Sequence, residues 1–204
     1  MRKIFLLFAL FCSSLVWTQS KGEIIRDLEA YRTAENETFR DPARTPLTKE
    51  GLATFKMLDY YPIDLGYRVK AKIIRTPGEE PFLLRTNTDR LPEYVKFGEA
   101  HFSLYNRDLV LNLYRSTESE DGSGMSNTLF VPFTDLTSGD GSYGGGRYLE
   151  FPIPKGDSMI IDFNMAFNPY CVYNENYSCP ITPRENDLFV RIEAGMKEYK
   201  RLGK

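Results

Sequence analysis

The chain has 204 residues, 42% hydrophobic and 26% charged, with 26 basic against 28 acidic side chains and a formal net charge of −2. Such a mildly acidic balance, with lysines scattered rather than clustered, excludes the basic footprint of a nucleic-acid or anionic-membrane binder. The length is enough for one domain with a sizeable core.

At the start, Arg2 and Lys3 precede an uncharged, mostly apolar run from Ile4 to Val16, and Thr18 and Ser20 put small side chains at the −3 and −1 positions of a cleavage site. This pattern is a secretory signal, too short to span a bilayer. Phe11 stands before Cys12 where lipoprotein processing needs a small residue. The reading is therefore ordinary export to the periplasm or beyond, with cleavage near Ser20 and a mature chain of charge −4 once Arg2 and Lys3 leave. No later run approaches transmembrane length.

Lys21 to Glu35 carries Ile24, Leu28 and Tyr31 at helical spacing, which predicts an amphipathic helix packed on the outside of a sheet. Asp41-Pro42 and Thr45-Pro46 then break the helix, and Thr48 can cap at most a short turn. From Tyr67 the period changes to two. Alternating stretches at 67–73, 81–84, 94–105, 109–114, 128–133, 147–153, 158–163 and 188–192 read as about eight short strands, separated by turn chemistry such as Asn106-Arg107-Asp108. The expected organisation is a signal over 1–20, a helix and extended linker over 21–55, and one mainly β domain over 56–204. That domain should be an antiparallel barrel-like or sandwich fold.

Residues 139–144 read Gly-Asp-Gly-Ser-Tyr-Gly and fit a G-x-G-x-x-G pattern. A dinucleotide site needs a strand before these glycines and a helix after them. Here the glycines lead into Arg147-Tyr148-Leu149-Glu150-Phe151, strand-like and closed by Pro152 and Pro154. The glycine stretch is thus a hairpin connection, and no nucleotide cofactor is implied.

Several motifs stand in order: 133–139 (FTDLTSG), 143–149 (YGGGRYL), 162–171 (DFNMAFNPYC), Cys179-Pro180, Pro183-Arg184-Glu185-Asn186 and 194–197 (AGMK). Together they resemble the bacterial family catalogued as domain of unknown function 1684, specifically over 130–198 and more loosely over 56–75. The resemblance implies a shared fold and site region, but no activity. It also implies arginine where Met165 stands and glutamate where Met196 stands, so this chain has exchanged two polar positions for apolar ones.

The only histidine, His101, lies in a strand and has no partner in sequence for nucleophilic catalysis. A C-x7-C spacing without histidines does not match zinc, so no metal is expected. In an exported chain the two remaining cysteines, Cys171 and Cys179, predict one disulfide. Asp135, Asp162 and Glu185 offer carboxylates for acid–base work, although such residues also fix turns. With Thr137, Ser138, Tyr143, Arg147, Asn164, Asn168 and Asn186 they form a concentration of polar side chains that core packing does not require. Were the strands at 147–153 and 158–163 neighbours, Arg147 would meet Asp162, Asn164 and Asn168. Three readings fit this pattern: a binder of a small molecule or peptide at residues 135–186, a carboxylate-dependent hydrolase, or a structural envelope protein.

Overall fold

A computed structural model describes residues 19–119, 122 and 124–200. The signal reading falls on residues 1–18 and lies outside them, apart from Gln19 and Ser20. Helix α1 (Lys21–Arg40) is longer than the periodicity predicts. Ser20 opens it with a capping box, its hydroxyl accepting the Glu23 amide while the Glu23 carboxylate accepts the Ser20 amide. Thr48 likewise caps the short α2 (Lys49–Thr54).

Seven strands follow: β1 (Arg68–Arg75), β2 (Phe82–Leu83), β3 (Glu93–Leu104), β4 (Arg107–Ser116), β5 (Thr128–Phe133), β6 (Arg147–Pro152) and β7 (Ser158–Asp162). All pair antiparallel in the order β6-β5-β4-β3-β1-β7, with β2 beside β3. The sheet curls into a half-barrel. Its inner face carries Ala71, Ile73, Ala100, Phe102, Leu111, Leu113, Leu129, Val131 and Leu149, all buried together. The alternation in the sequence is thus the two-faced pleat of a half-buried sheet.

Two expectations are corrected. β6 and β7 are not neighbours but the two ends of the sheet order. Curling brings the ends together instead: the Phe133 and Phe163 rings stand 5.3 Å apart, and the β6 edge is bridged by backbone bonds between Tyr148 and Phe167. The stretch 188–192 keeps the alternation of a strand, burying Leu188, Val190 and Ile192, yet forms no strand. At Ile192 both the amide and the carbonyl are bonded to buried side chains instead of a neighbouring strand.

The connection from β5 to β6 is a hairpin loop with no helix, as the proline argument requires. The β3–β4 turn places Tyr105 and Asn106 at φ 50° and 61°, the paired left-handed residues of a tight hairpin. A second cluster (Phe39, Leu47, Leu58, Tyr173 and Met196) fastens α1 to the irregular segments after β7, with the Phe39 and Tyr173 rings 4.8 Å apart.

In β3 the register slips between Lys96 and Gly98. A Cβ at Gly98 would stand 2.5 Å from the Ile74 carbonyl oxygen of β1. Gly98→Ala should therefore force the two central strands apart, at a cost of about 2 kcal/mol. Urea unfolding checks this, and an unchanged midpoint would contradict the close approach.

Candidate functional site

Arg147 begins β6 and is fully buried, directed inward beside Phe133. Its Nη2 donates to Asp135 Oδ1 (3.1 Å) and to the Ile192 carbonyl (2.9 Å). Its Nη1 donates to the carbonyls of Met196 (3.2 Å) and Ala194. Asp135 is equally enclosed and accepts the amides of Thr137 (3.1 Å) and Ile192 (2.7 Å). Thr137 adds its hydroxyl to Asp135 and shares a hydrogen bond with Ser142 (2.8 Å). Burial lowers the Arg147 pKa and Asp135 opposes that shift, so the cation persists as one half of an internal ion pair.

The glycine loop therefore folds around a polar knot. Ser138 closes it from outside, its hydroxyl accepting the Asp135 amide at 3.1 Å. Gly146, at φ 95°, has no room for a Cβ: one would stand 2.6 Å from the Phe133 carbonyl oxygen.

The three asparagines make similar ties. Asn164 exchanges two bonds with the Asp64 backbone (3.0 and 2.8 Å) and donates to Asp162, which also faces Arg68 at 3.6 Å. Asn168 donates to the Lys197 carbonyl (2.8 Å) and to the Tyr173 hydroxyl (3.3 Å). Asn186 accepts the Asn112 amide (2.8 Å) and donates to the Asn112 and Pro132 carbonyls (3.0 and 2.7 Å). It fills the place where β4 and β5 diverge.

The expected meeting of Arg147 with Asp162 and Asn164 does not occur: the guanidinium is taken up by Asp135 and the C-terminal carbonyls, while Asp162 and Asn164 bond to each other, to Arg68 and to the Asp64 backbone. Arg147 and Asn168 instead hold neighbouring carbonyls of one C-terminal segment, at Met196 and Lys197. Glu185 is exposed, apart from the buried Asp135 and Asp162. Tyr143 is half-buried, its pKa raised by burial and by the neighbouring Cys171 and Cys179.

Nor is the expected disulfide present: Cys171 and Cys179 are free thiols. The Cys179 backbone is fixed by Asn87 on both sides, amide to Oδ1 at 2.6 Å and carbonyl from the Asn87 amide at 3.0 Å. Its sulfur accepts the Cys171 amide at 3.1 Å rather than bonding the second sulfur. Among the described residues, no group of three or more His, Cys, Asp or Glu side chains could hold a metal ion.

A concave site lies on the opposite, outer face of the same strands. Tyr94, Phe130, Tyr148 and Phe167 form a ladder of rings, with successive centroids 5.6, 4.7 and 5.9 Å apart. Above it opens a cleft of about 390 Å³, walled by Tyr170, Tyr177, Cys179 and Pro180, with Arg90 and Glu150 at its border. Two further depressions of about 650 and 240 Å³ share residues with it, and Glu150 belongs to all three. One wall is braced: Arg90 donates to the Ser178 carbonyl (2.9 Å) and hydroxyl (3.1 Å), and the Tyr148 hydroxyl donates to the Pro180 carbonyl. Sequence reasoning missed this cleft because its lining is aromatic and reads as core. The usable signal was alternation: Tyr148 and Glu150 are the outward partners of Arg147 and Leu149.

The curled antiparallel half-barrel defines the chain's fold class. The chain is a member of the family of proteins of unknown function DUF1684, whose profile matches residues 53–197. It is also similar to a solution NMR structure, the uncharacterized protein from gene locus rrnAC0354 of Haloarcula marismortui. The two share 33% identity and a TM-score of 0.67, over 86% of this chain and 95% of that one. No curated protein matches the chain.

Replacing Arg147 with methionine should cost about 3–5 kcal/mol, because Asp135 is left charged and unpaired in the core. Lysine should not restore the loss, since one ammonium cannot reproduce a fork spread over three carbonyls and a carboxylate. Denaturant unfolding of both variants measures this; a near-native Arg147→Lys would refute the geometric requirement.

Proposed function

We propose that this protein is an exported binding protein for a small, ring-bearing molecule seated in the aromatic cleft on the outer face of β5 and β6. The carrying observation is the cleft itself: aromatic side chains line one concavity, over the buried Phe130 and Tyr148, with a cation and a carboxylate of opposite sign at its border. Aromatic walls with a few placed polar groups are the usual composition of a small-molecule site. Further support comes from the lining. Tyr148, Phe167, Pro169, Tyr170, Cys179 and Pro180 all fall within the motifs that carry the family resemblance, inside the matched region. The ligand this composition favours has a flat or sugar-like ring to lie on tyrosine and phenylalanine, and polar substituents for Arg90 and Glu150. The concentrated polar residues of 135–186 serve this reading indirectly, by fixing the strands and loops that shape the cleft.

Thermal-shift screening of ring-bearing metabolites, glycans and short aromatic peptides tests the proposal. A ligand at 100 times its Kd adds about 2.7 kcal/mol, which raises Tm by several degrees in a chain of this size. Arg90→Met and Glu150→Gln should abolish the shift. A shift that survives both substitutions would place binding elsewhere.

Export rests on the N-terminal pattern of Arg2, Lys3 and the apolar run to Val16. No helix among the described residues is long and apolar enough to cross a membrane. N-terminal sequencing of protein recovered outside the cytoplasm should give a chain beginning near Lys21. Recovery only from the cytoplasm, with the first twenty residues intact, would contradict export.

A further inference from the structure

Cys171 and Cys179 meet at the wall of the aromatic cleft without being bonded to each other. Cys179 lies in the cleft lining and Cys171 behind it, on the turn 170–172. The Cys179 sulfur accepts a backbone amide hydrogen bond from Cys171 at 3.1 Å. Asn87 fixes the Cys179 backbone through both its amide and its carbonyl. The charged and titratable groups that face this sulfur are Cys171, Arg90, Tyr143 and Tyr148. The tyrosines keep their protons, so Arg90 is the only full charge among these neighbours.

We infer that Cys179 is a nucleophilic thiol whose reaction partner is a small, carboxylate-bearing disulfide bound in the aromatic cleft, an inference that rests on the ligand-binding reading of that cleft. Three features point the same way. Cys179 forms part of the wall of a concave site, with 8% of the residue exposed. Its sulfur is held as a hydrogen-bond acceptor, the role a thiolate fills better than a thiol. A guanidinium stands at the border of the site, where it would attract the carboxylate end of a reactant, and Glu150 on the same border would face any cationic end. In agreement, the Cys179 pKa is lowered to about 7, first by the thiol hydrogen bond from Cys171 and then by the amide of Cys171 and by Arg90, against the opposing effect of burial. Cys171 moves the other way, because it keeps the proton that it offers to Cys179.

The step balances without any further oxidant. The Cys179 thiolate attacks one sulfur of the bound disulfide and a new S–S bond forms to Cys179. The ligand's own S–S bond breaks, and its second sulfur leaves as a thiolate that takes a proton from water. Cys171 retains its proton throughout.

The test begins with iodoacetamide on the full chain, freed of reductant, with adducts located by peptide mapping across a pH series. Cys179 should be alkylated first, with a midpoint near 7, while Cys171 stays unmodified until alkaline pH. At neutral pH the larger thiolate fraction is worth about 15-fold over an ordinary thiol, offset about 5-fold by lower intrinsic nucleophilicity, for a net gain of about 3-fold. Cys171→Ala removes the donor thiol and should shift the midpoint upward. Glutathione disulfide, which carries carboxylates, should then add once, at Cys179, and faster than cationic cystamine; Arg90→Met should reduce that preference severalfold.

Equal reactivity at both sulfurs with an ordinary thiol midpoint would overturn the nucleophile. So would isolation of the chain with Cys171 and Cys179 already joined. Iodoacetamide needs no recognition by the cleft. Fast alkylation of Cys179 without preference for the anionic disulfide would therefore reject the assigned reactant, while the thermal-shift screen with its Arg90→Met and Glu150→Gln controls decides separately whether the cleft is a ligand site.

Discussion

Three carbonyls of the C-terminal segment, at Ile192, Ala194 and Met196, converge on one point, Gly195 at φ 75° turning the chain between the last two. In a complete sheet the amides of a neighbouring strand would satisfy them. Here one guanidinium does so from the start of β6, while its carboxylate partner Asp135 takes the Ile192 amide. Arg147 thereby replaces a strand's worth of donors at a single point. The segment can close the open side of the half-barrel without joining the sheet, and its apolar side chains complete the inner core. Without the arginine, buried carbonyls and a buried carboxylate would lose their partners together, and leaving buried polar groups unsatisfied is among the costliest changes a core can suffer.

The asparagines extend the same device around the barrel. Asn186 supplies donors and an acceptor where β4 and β5 part, Asn164 pairs with the Asp64 backbone, and Asn168 reaches the carbonyl next to Met196. Each amide stands in for a missing backbone partner. The polar wealth of residues 135–186 is thus largely what an incompletely closed sheet needs in order to bury its irregular connections. Alternation along β6 then divides the labour. Arg147 and Leu149 point inward to the knot and the core, while Tyr148 and Glu150 point outward to the cleft. The rigidity created on one face holds the rings in place on the other.

The strands were legible because a half-buried sheet writes its two faces into the chain with period two; Arg68-Val69-Lys70-Ala71-Lys72-Ile73 shows it plainly. The hairpin at 138–146 was legible from Pro152 and Pro154. Strand order was not, since local pattern carries no information on which edges meet, and the adjacency assumed for β6 and β7 failed on that point. The Leu188–Ile192 segment has a strand's pattern, but its backbone bonds at Leu188 and Val190 go to the loop residues Thr134 and Leu136, and those at Ile192 to the side chains of Asp135 and Arg147, which periodicity cannot register. The polar residues were legible as a concentration, but a buried tie and a binding site use the same residue types. The cleft was hidden for the opposite reason, because tyrosine and phenylalanine line cores and ligand sites alike.

The two methionines show how the N-terminal helix is joined to the rest. The family profile starts at residue 53, yet Phe39 and Leu47 from before it share a cluster with Met196 and Tyr173 from its far end. Met196 is 2% exposed, and its amide donates to the Ala166 carbonyl, one residue from Met165. The Met165 carbonyl in turn accepts the Tyr31 hydroxyl of α1. The backbones at 165 and 196 are therefore close, but the side chains part: Met165 is 36% exposed, and Met196 is buried in one cluster with Phe39. This packing joins α1 to the C-terminal segment. It also makes α1 part of the core's closure: removing the helix would uncover Met196, Leu58 and Tyr173 at once.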